Sequence, residues 1–427
     1  MPLFIVLTVI AALLSMPIVF ALSFGPILAF LVDGKATMVQ IGLQRFFAGV
    51  NQFPLLAIPL FILAGEIMNA GDITRRLVNL ARLLVGHLRG GLAHVNILSS
   101  VMFAGLSGSA VADVSALGSM MIPAMERDGY TRRFATAVTA ASSIIGPVIP
   151  PSIIMIVYAY IMNVSVGALF AAGFVPGLLM GLGLMAMTAI LARKHDFLRR
   201  EGAPSRQEMV SGVSQGFFPM LTPAIILGGI LLGIVSPTEA AVVAVIYALV
   251  LSFVIRSLTL RDIPALLATA SRSSANVLLM IGSASLFGWM LNIAGVPQDL
   301  ARMVLGLTEN PIVFLLLVNV VLLVVGMFLD AGPAILIVGP ILGPTMLGMD
   351  ISPIHFAVVM CLNLTIGLAT PPFGLVLFVS AAVSKEPVGA IVRAMLPFYV
   401  VHLIVLLAIT LIPALSLTLP KLLGFPV

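Results

Sequence analysis

The sequence predicts an all-α, polytopic membrane protein built as an inverted repeat with two re-entrant helical hairpins and two broken helices. Three observations support this fold class: the composition, the length of the apolar segments and a duplicated pattern of helix breaks. Of the 427 residues, 61% are hydrophobic and 9% are charged, whereas soluble domains carry about 25% charged residues. Many apolar segments exceed the roughly 20 residues with which a helix crosses a bilayer. The lipid bilayer is therefore the expected environment, and the net charge of +5 indicates basic cytoplasmic loops, with no nucleic-acid partner.

The two helix breaks share a glycine and a proline pair. The first reads GPVIPPS at 146–152, and the second reads GLATPPF at 367–373. Proline has no N–H and its ring clashes with the preceding turn, so neither helix can continue through its break. Inside a membrane, the freed backbone groups need a ligand or a neighbouring segment. The breaks are therefore candidate binding positions.

The duplication extends beyond the breaks at the same offset of 221 residues, since 367 − 146 = 221. Four further pairs of glycines or prolines match without a gap: Gly105 with Gly326, Gly118 with Gly339, Pro123 with Pro344, and Pro176 with Pro397. Chance does not account for a register kept from 105 to 176. The chain is therefore interpreted as an internal duplication.

The repeats are predicted at 1–192 and 215–427, and a basic cytoplasmic linker is predicted at 193–214. The first repeat is expected to contain helices within 1–70, an amphipathic arm at 72–90, a hairpin at 92–126, a broken helix at 131–163 and a helix at 166–191. The second is expected to contain helices at 215–256 and 276–294, an arm at 297–309, a hairpin at 311–348, a broken helix at 353–383 and a last helix at 388–419. Residues 2–32 fit either one long helix or two short ones, and a loop is expected between 33 and 53.

The hairpins are predicted from the shortness of their limbs. GLSGSA at 105–110 interrupts the first and leaves limbs of about 13 and 17 residues, too short at 1.5 Å per residue to cross a ~30 Å core comfortably. Its tip is expected at Ser107–Ser109. GMFLDAGP at 326–333 interrupts the second.

Basic residues orient the hairpins in opposite senses. The base of the first carries seven arginines: Arg75, Arg76, Arg82, Arg89, Arg127, Arg132 and Arg133. The flanks of the second carry Arg302 alone. Because cytoplasmic loops are enriched in Lys and Arg, the first base is predicted inside and the second outside. Opposed hairpins and broken helices are typical of a secondary transporter with its site near the midplane.

Candidate oxygen ligands gather at each tip and break. The first set is Ser107, Gly108 and Ser109 at the tip, Asp113 one turn further on, and the freed carbonyls around Gly146 and Val148. The second set is Asp330 near the other tip and Gly367–Thr370 in the other break, where Thr370 adds a hydroxyl at the position of Ile149. Sodium takes about five or six oxygens, which carbonyls together with a hydroxyl or carboxylate can supply.

Several of these residues also have a purely structural interpretation. Asp330 could cap the tip helix, and the two serines could bond helix carbonyls. Glu239 is best explained by a capping box with Ser236, and His402 by packing of a polar side chain. An acid inside a membrane segment is costly and usually functional, which favours Asp113 and Asp330.

Five stretches together resemble the large membrane subunit of TRAP transporters. They are FILAGEIM at 61–68, GLSGSAVAD at 105–113, PPS at 150–152, GMFLD at 326–330 and TPPFG at 370–374. The resemblance covers essentially the whole chain. It implies a multi-pass subunit in a bacterial inner membrane, with a small four-helix membrane subunit and a periplasmic substrate-binding protein as partners.

The resemblance also implies sodium-driven uptake of an organic acid, such as a C4-dicarboxylate or sialic acid, by an elevator mechanism. The hairpins and broken helices would move, and the other helices and the arms would form the scaffold. Carried over, one sodium site comprises Ser107, Ser109, Asp113, Gly146 and Val148. The other comprises Gly326, Asp330, Gly367 and Thr370. N–H groups and hydroxyls at the tips suit a carboxylate, and the expected substrate-binding residues are Ser107, Gly108, Ser152 and Pro371.

Three other functions remain as alternatives. The first is a standalone sodium/organic-anion symporter that needs no binding protein. A channel is disfavoured by the repeat and the scarcity of charge along the apolar segments. A hydrolase is disfavoured because no nucleophile–base pair is visible, so no enzyme is expected.

Overall fold

The computed structural model describes residues 3–14, 16–194 and 206–427, and within these ranges the chain is helical and has no β-strand. Eight of the described helices are long and apolar enough to cross a membrane. The prediction of an all-α polytopic membrane protein is confirmed. Half of the predicted linker, residues 195–205, lies outside the described residues.

The helices of the first half precede the linker. They are α1 (Leu3–Leu13), α2 (Ile18–Val32), α3 (Ala36–Val50), α4 (Ala57–Ala70), α5 (Ile73–Val85), α6 (Gly91–Ser107), α7 (Ala110–Arg127), α8 (Arg132–Ser143), α9 (Ile153–Met162) and α10 (Val166–Lys194). A short 3₁₀ helix at Phe53–Leu56 leads into α4.

The helices of the second half follow the linker. They are α11 (Arg206–Leu231), α12 (Pro237–Val254), α13 (Ile263–Ile293), α14 (Val296–Leu307), α15 (Pro311–Phe328), α16 (Ala331–Gly348), α17 (Pro353–Leu368), α18 (Leu375–Ser384), α19 (Val388–Leu411) and α20 (Ala414–Leu422).

The N-terminal apolar stretch forms two helices, so the second of the two alternatives is correct. Helices α1 and α2 pack against each other on either side of Pro17. Gly25 makes this close approach possible, because a Cβ there would overlap the Thr8 hydroxyl and lie 2.7 Å from the Phe4 carbonyl oxygen.

The expected loop at 33–53 is wrong, because α3 occupies most of it. The helix packs on α13 through its glycines: a Cβ at Gly42 would lie 2.8 Å from the Leu286 side chain, and one at Gly49 would overlap Ser285. Glycine is a weak helix former, so local propensity does not reveal a helix whose stability comes from this packing.

Three predicted boundaries also differ from the structure. Helix α11 begins at Arg206 rather than 215, and α13 begins at Ile263 rather than 276. The start of α13 is marked by Asp262, whose carboxylate accepts hydrogen bonds from the Thr259 N–H and hydroxyl, both at 2.8 Å. These bonds hold the Asp262 pKa below its ordinary value. The last helix stops at Leu411, because Pro413 restricts the residue before it, and α20 follows.

The packing of hairpins and broken helices is reciprocal between the halves. Helix α9 packs on α16 of the other half, and α18 packs on α7. Within each half, the first hairpin helix contacts the first part of the broken helix: α6 with α8, and α15 with α17. This arrangement is what two interlocked copies of one motif produce, and it supports the predicted duplication.

Candidate functional site

The first tip rests directly on the first break. Gly108 connects α6 to α7 with a φ of 57°, a conformation that favours glycine. A Cβ at Gly108 would lie 2.9 Å from the Pro151 carbonyl oxygen, and one at Gly105 would lie 3.5 Å from the Pro150 carbonyl oxygen. The peptide bond between these two prolines is cis. Glycines at the tip therefore allow backbone-to-backbone contact with the break.

Asp113 and Gly146, both predicted for the first sodium site, are brought together. Asp113 lies in the first turn of α7 and is completely buried. A Cβ added to Gly146 would lie 2.5 Å from the Asp113 Oδ2 atom and 3.2 Å from the Ser143 carbonyl oxygen. The carboxylate therefore lies against the bare Cα of Gly146. The Ser143 carbonyl at the end of α8 is a nearby oxygen that the sequence did not single out.

The other predicted residues of the first site have different surroundings. Ser109 is the N-cap of α7, and its hydroxyl accepts a hydrogen bond from the Ala112 N–H at 3.4 Å. The Val148 carbonyl oxygen faces α10, where a Cβ at Gly173 would be 2.5 Å away. Ser107 ends α6, and its side chain lies outside those that the structure describes.

Ser152, predicted to bind substrate, holds the break together. Its side chain is completely buried, its hydroxyl donates a hydrogen bond to the Pro147 carbonyl, and it accepts one from the Met155 N–H. The hydroxyl therefore spans the break and caps α9. This role is structural. It is the role that serine commonly has as the N-cap of a helix, and it is predictable from the local sequence.

At the second site, Gly326 and Gly367 make the corresponding close contact. A Cβ at Gly367 would lie 2.6 Å from the Gly326 Cα, and one at Gly326 would lie 2.7 Å from the Leu364 carbonyl oxygen. The Thr370 hydroxyl donates to the Ile366 carbonyl at 2.7 Å, which leaves its lone pairs available. The two backbones therefore cross with no side chain between them.

Asp330 has the capping role that was weighed for it, and it also borders a cavity. It is the N-cap of α16, and its Oδ1 atom accepts a hydrogen bond from the Ala331 N–H at 2.8 Å. Its side chain is also exposed and lines a cavity between the two tips. Pro371 lies in the second break, half-buried, and is not among the described residues that line this cavity.

This space, which we call the tip cavity, has a volume of about 130 Å³. Both tips border it, through Gly108 to Val111 and through Asp330 to Gly332. Its other walls come from the first break and α9 (Pro147, Ile153, Ile154 and Val157), from α13 (Val277, Met280 and Ile281), and from Leu336 and Leu368. First-turn residues of three helices, α7, α9 and α16, thus face one small volume.

Helix α19 supports both broken helices. The Tyr399 hydroxyl donates a hydrogen bond to the Ala369 carbonyl in the second break, at 2.6 Å. One turn along, His402 Nε2 lies 3.2 Å from the Ala141 carbonyl in α8, and since a carbonyl can only accept, the imidazole donates. His402 is completely buried, as expected of a packed polar residue. Tyr399 was not predicted.

Each hairpin is also tied to its broken helix by buried polar side chains. In the first half, Ser100 donates to Ser142 at 2.8 Å. In the second, Asn363 donates to the Asn319 side-chain oxygen at 2.9 Å, and Asn319 donates to Thr410 at 2.9 Å. Ser142 and Asn363 are 221 residues apart. The offset of the repeat is therefore the sequence signal that could have found them.

The capping box at Glu239 is present as predicted. The Glu239 Oε2 atom accepts from the Ser236 N–H at 2.7 Å, and the Glu239 N–H donates to the Ser236 hydroxyl at 3.3 Å. This acid stabilises the start of α12 and is not part of the site.

Comparison with known proteins identifies a family that matches nearly the whole chain. Residues 3–415 match the family model described as "Tripartite ATP-independent periplasmic transporter, DctM component". The chain is 41% identical to the sialic acid TRAP transporter large permease protein SiaM of Vibrio cholerae serotype O1, over 96% of this chain and 95% of that protein. It is 42% identical to the C4-dicarboxylate TRAP transporter large permease protein DctM of Pseudomonas aeruginosa, over 89% of each. Among solved structures, the Alcanivorax borkumensis YdaH transporter has a similar fold, with a TM-score of 0.65 and 17% identity over 92% of this chain and 89% of that one.

Proposed function

The chain belongs to the DctM component family of the tripartite ATP-independent periplasmic transporters, and we propose that it is the large permease subunit of a sodium-coupled uptake system for a small organic acid. It is a multi-pass membrane protein, and the relatives are transporter permeases rather than enzymes. The observation that carries the proposal is the convergence of three helix N-termini on the tip cavity.

A helix N-terminus attracts anions, because its first N–H groups have no partner within the helix and the helix dipole adds about half a positive charge. In the tip cavity, first-turn residues of α7, α9 and α16 supply this environment together. A carboxylate is the ligand that suits it. Relatives named for sialic acid and for C4-dicarboxylates support a carboxylate as the solute of this chain as well.

The charge of Asp330 supports the proposal of sodium coupling. Its carboxylate lines the same cavity and would repel an organic acid, by ~4 kcal/mol for two charges 4 Å apart at an effective dielectric constant near 20. A sodium ion at Asp330 would remove this repulsion. The ion and the acid would then bind favourably only together, which is the requirement for coupled transport.

The tip cavity must also enlarge. Its volume of about 130 Å³ is below the ~300 Å³ at the lower end of small-molecule sites. Because the hairpins and broken helices pack on each other across the halves, we propose that they move as one body in an elevator mechanism. Residues of α13 would form part of the stationary wall.

The partners and location follow from the family. We propose a periplasmic binding protein that delivers the acid, a small four-helix membrane subunit, and a bacterial inner membrane as the site of action. The alternative of a standalone sodium/organic-anion symporter differs in one respect: it would transport without the binding protein.

The test is uptake of labelled sialic acid or succinate by liposomes that contain the complete complex. Uptake should require an inward sodium gradient and the cognate binding protein. Asp113→Ala and Asp330→Ala should abolish it at unchanged expression, whereas Asp299→Ala, which removes an exposed acid of α14, should not. Sodium-independent uptake would overturn the coupling, and uptake without the binding protein would favour the standalone symporter.

A further inference from the structure

A second, larger cavity lies next to the tip cavity. This cavity, the Arg45 cleft, has a volume of about 480 Å³ and is bounded by α3, α9, α13 and α16. Its polar lining consists of Arg45, Gln52, Tyr160, Ser285, Trp289 and Asn292. The described residues that line it thus include one cation and no acid. Its volume is within the ~300–1,000 Å³ range of small-molecule sites.

The two cavities follow one another along the same helices. Leu336 of α16 lines both of them. On α13 the tip cavity ends at Ile281 and the cleft begins at Ala284, and on α9 they meet between Val157 and Tyr160. Each step is about one helical turn, or ~5 Å. A solute in the Arg45 cleft is therefore about one turn away from the tip cavity.

The cleft offers hydrogen-bond donors that protein acceptors have not taken up. Within the described part of the chain, no carboxylate lies in ion-pair range of Arg45. Its guanidinium carbon lies 6.0 Å from the centre of the Trp289 ring, and attraction to a ring face does not require an oxygen acceptor for the N–H groups of the cation. The Tyr160 hydroxyl has no hydrogen-bond partner among the described residues either. A guanidinium fork and a hydroxyl match the two oxygens of a carboxylate.

The charge also changes sign along this route. The cleft carries the cation Arg45, whereas the tip cavity carries the acid Asp330. An organic acid is therefore attracted to the cleft in the absence of sodium and admitted to the tip cavity when sodium is bound. By the predicted topology, the ends of α9 and α13 that line the cleft face the outside.

From this juxtaposition we infer that the Arg45 cleft is an outer binding site for the carboxylate of the transported acid, occupied before the tip cavity. The inference rests on the proposed function and adds to it a separate site between the scaffold and the moving body, formed by Arg45 of α3 and Tyr160 of α9 beside Trp289.

Transport kinetics test the inference in the complete complex with its binding protein. Arg45→Gln should raise the acid concentration for half-maximal uptake about tenfold, the effect of losing one charge-assisted pair, with little change in maximal rate. Arg45→Lys keeps the charge without the planar fork of donors. Its half-saturating acid concentration should lie between those of wild type and Arg45→Gln. The control Arg302→Gln removes another exposed arginine, on α14, and should behave as wild type. Added salt should raise the acid concentration for half-maximal uptake by wild type but not by Arg45→Gln.

Fluorescence tests binding without the binding protein. Trp289 is the only tryptophan of the chain, so the difference between wild-type and Trp289→Phe complexes isolates its signal. Free succinate or sialic acid should change this signal with saturation, and Arg45→Gln should abolish the change. A change that needs the binding protein would indicate docking of that protein at Arg45 and overturn the inference. A Trp289 signal that changes on addition of anionic lipid and not on addition of acid would assign the cleft to an anionic lipid and also overturn it.

The failures of the two proposals are distinguishable. If wild type takes up the acid and Arg45→Gln matches it in half-saturation, the outer site is wrong and the proposed function stands. If wild type takes up no organic acid with sodium and binding protein present, the proposed function fails and the outer site falls with it.

Discussion

Because Gly146 has no side chain, the buried carboxylate of Asp113 can lie directly against it. Asp113 is completely buried, and its Oδ2 atom occupies the space where a Cβ of residue 146 would point, 2.5 Å away. Contacts this short do not occur between real atoms of these types, so any larger residue must displace the acid. The glycine of the first break is therefore required for packing against Asp113.

Gly146→Ala should weaken sodium-dependent uptake while the protein still folds. Overpacking of this kind costs about 1–3 kcal/mol, so half-maximal uptake should need about 5- to 150-fold more sodium. A sodium titration of uptake in liposomes measures this. Gly389→Ala is the matched control, because Gly389 lies in a helix with open space around it. An unchanged sodium titration for Gly146→Ala would contradict the placement of sodium beside Asp113.

At the scale of elements, the two tips are secured differently. Phe328 at the end of α15 and Phe373 in the second break form a ring contact with centroids 5.3 Å apart, although both side chains are more than half exposed. The 221-residue offset places Ser107 and Ser152 at the corresponding positions of the first half. The second tip is therefore joined to its break by an aromatic pair, Phe328 and Phe373, which we call the aromatic latch. The corresponding positions of the first half have no aromatic residue.

The latch should act as a unit. Phe328→Ala and Phe373→Ala should each raise the half-saturating acid concentration about two- to tenfold, because an aromatic pair contributes about 0.5–1.5 kcal/mol to closing the tip over the solute. The double variant should be no worse than either single variant. Phe217→Ala, which breaks a similar exposed pair on α11, serves as control. Additive effects in the double variant would show that the two rings act separately.

The same elements show what the sequence could predict. The breaks and tips were predictable because proline and glycine act locally, through a missing N–H or a positive φ such as that of Gly108. Helix α3 was not, because Gly42 and Gly49 are favourable only against α13, more than 200 residues away. A partner 30 residues away, the Ala369 carbonyl, likewise explains why Tyr399 was missed. The partners of Ser152 are local, at Pro147 and Met155, so its capping role was open to prediction.

At the scale of the whole molecule, the two halves share a backbone plan and differ in polarity. At the 221-residue offset, Ser109 corresponds to Asp330, and Ile149 corresponds to Thr370. The first half places its acid at Asp113, which is completely buried, whereas Asp330 is exposed at the tip cavity. Charges attract more strongly where water is excluded, and salt screens exposed charges more than buried ones. The two halves should therefore bind sodium with unequal affinity.

Alanine variants should separate the two affinities, because each variant leaves one acid in place. Sodium that binds the folded complex raises its unfolding temperature, and the midpoint of this effect reports the remaining site even when transport is lost. Asp330→Ala retains the buried Asp113 and should be stabilised at about tenfold lower sodium than Asp113→Ala. Adding choline chloride should shift the midpoint of Asp113→Ala more, since its remaining acid is exposed. Equal midpoints in the two variants would mean that the halves bind sodium alike despite their different side chains.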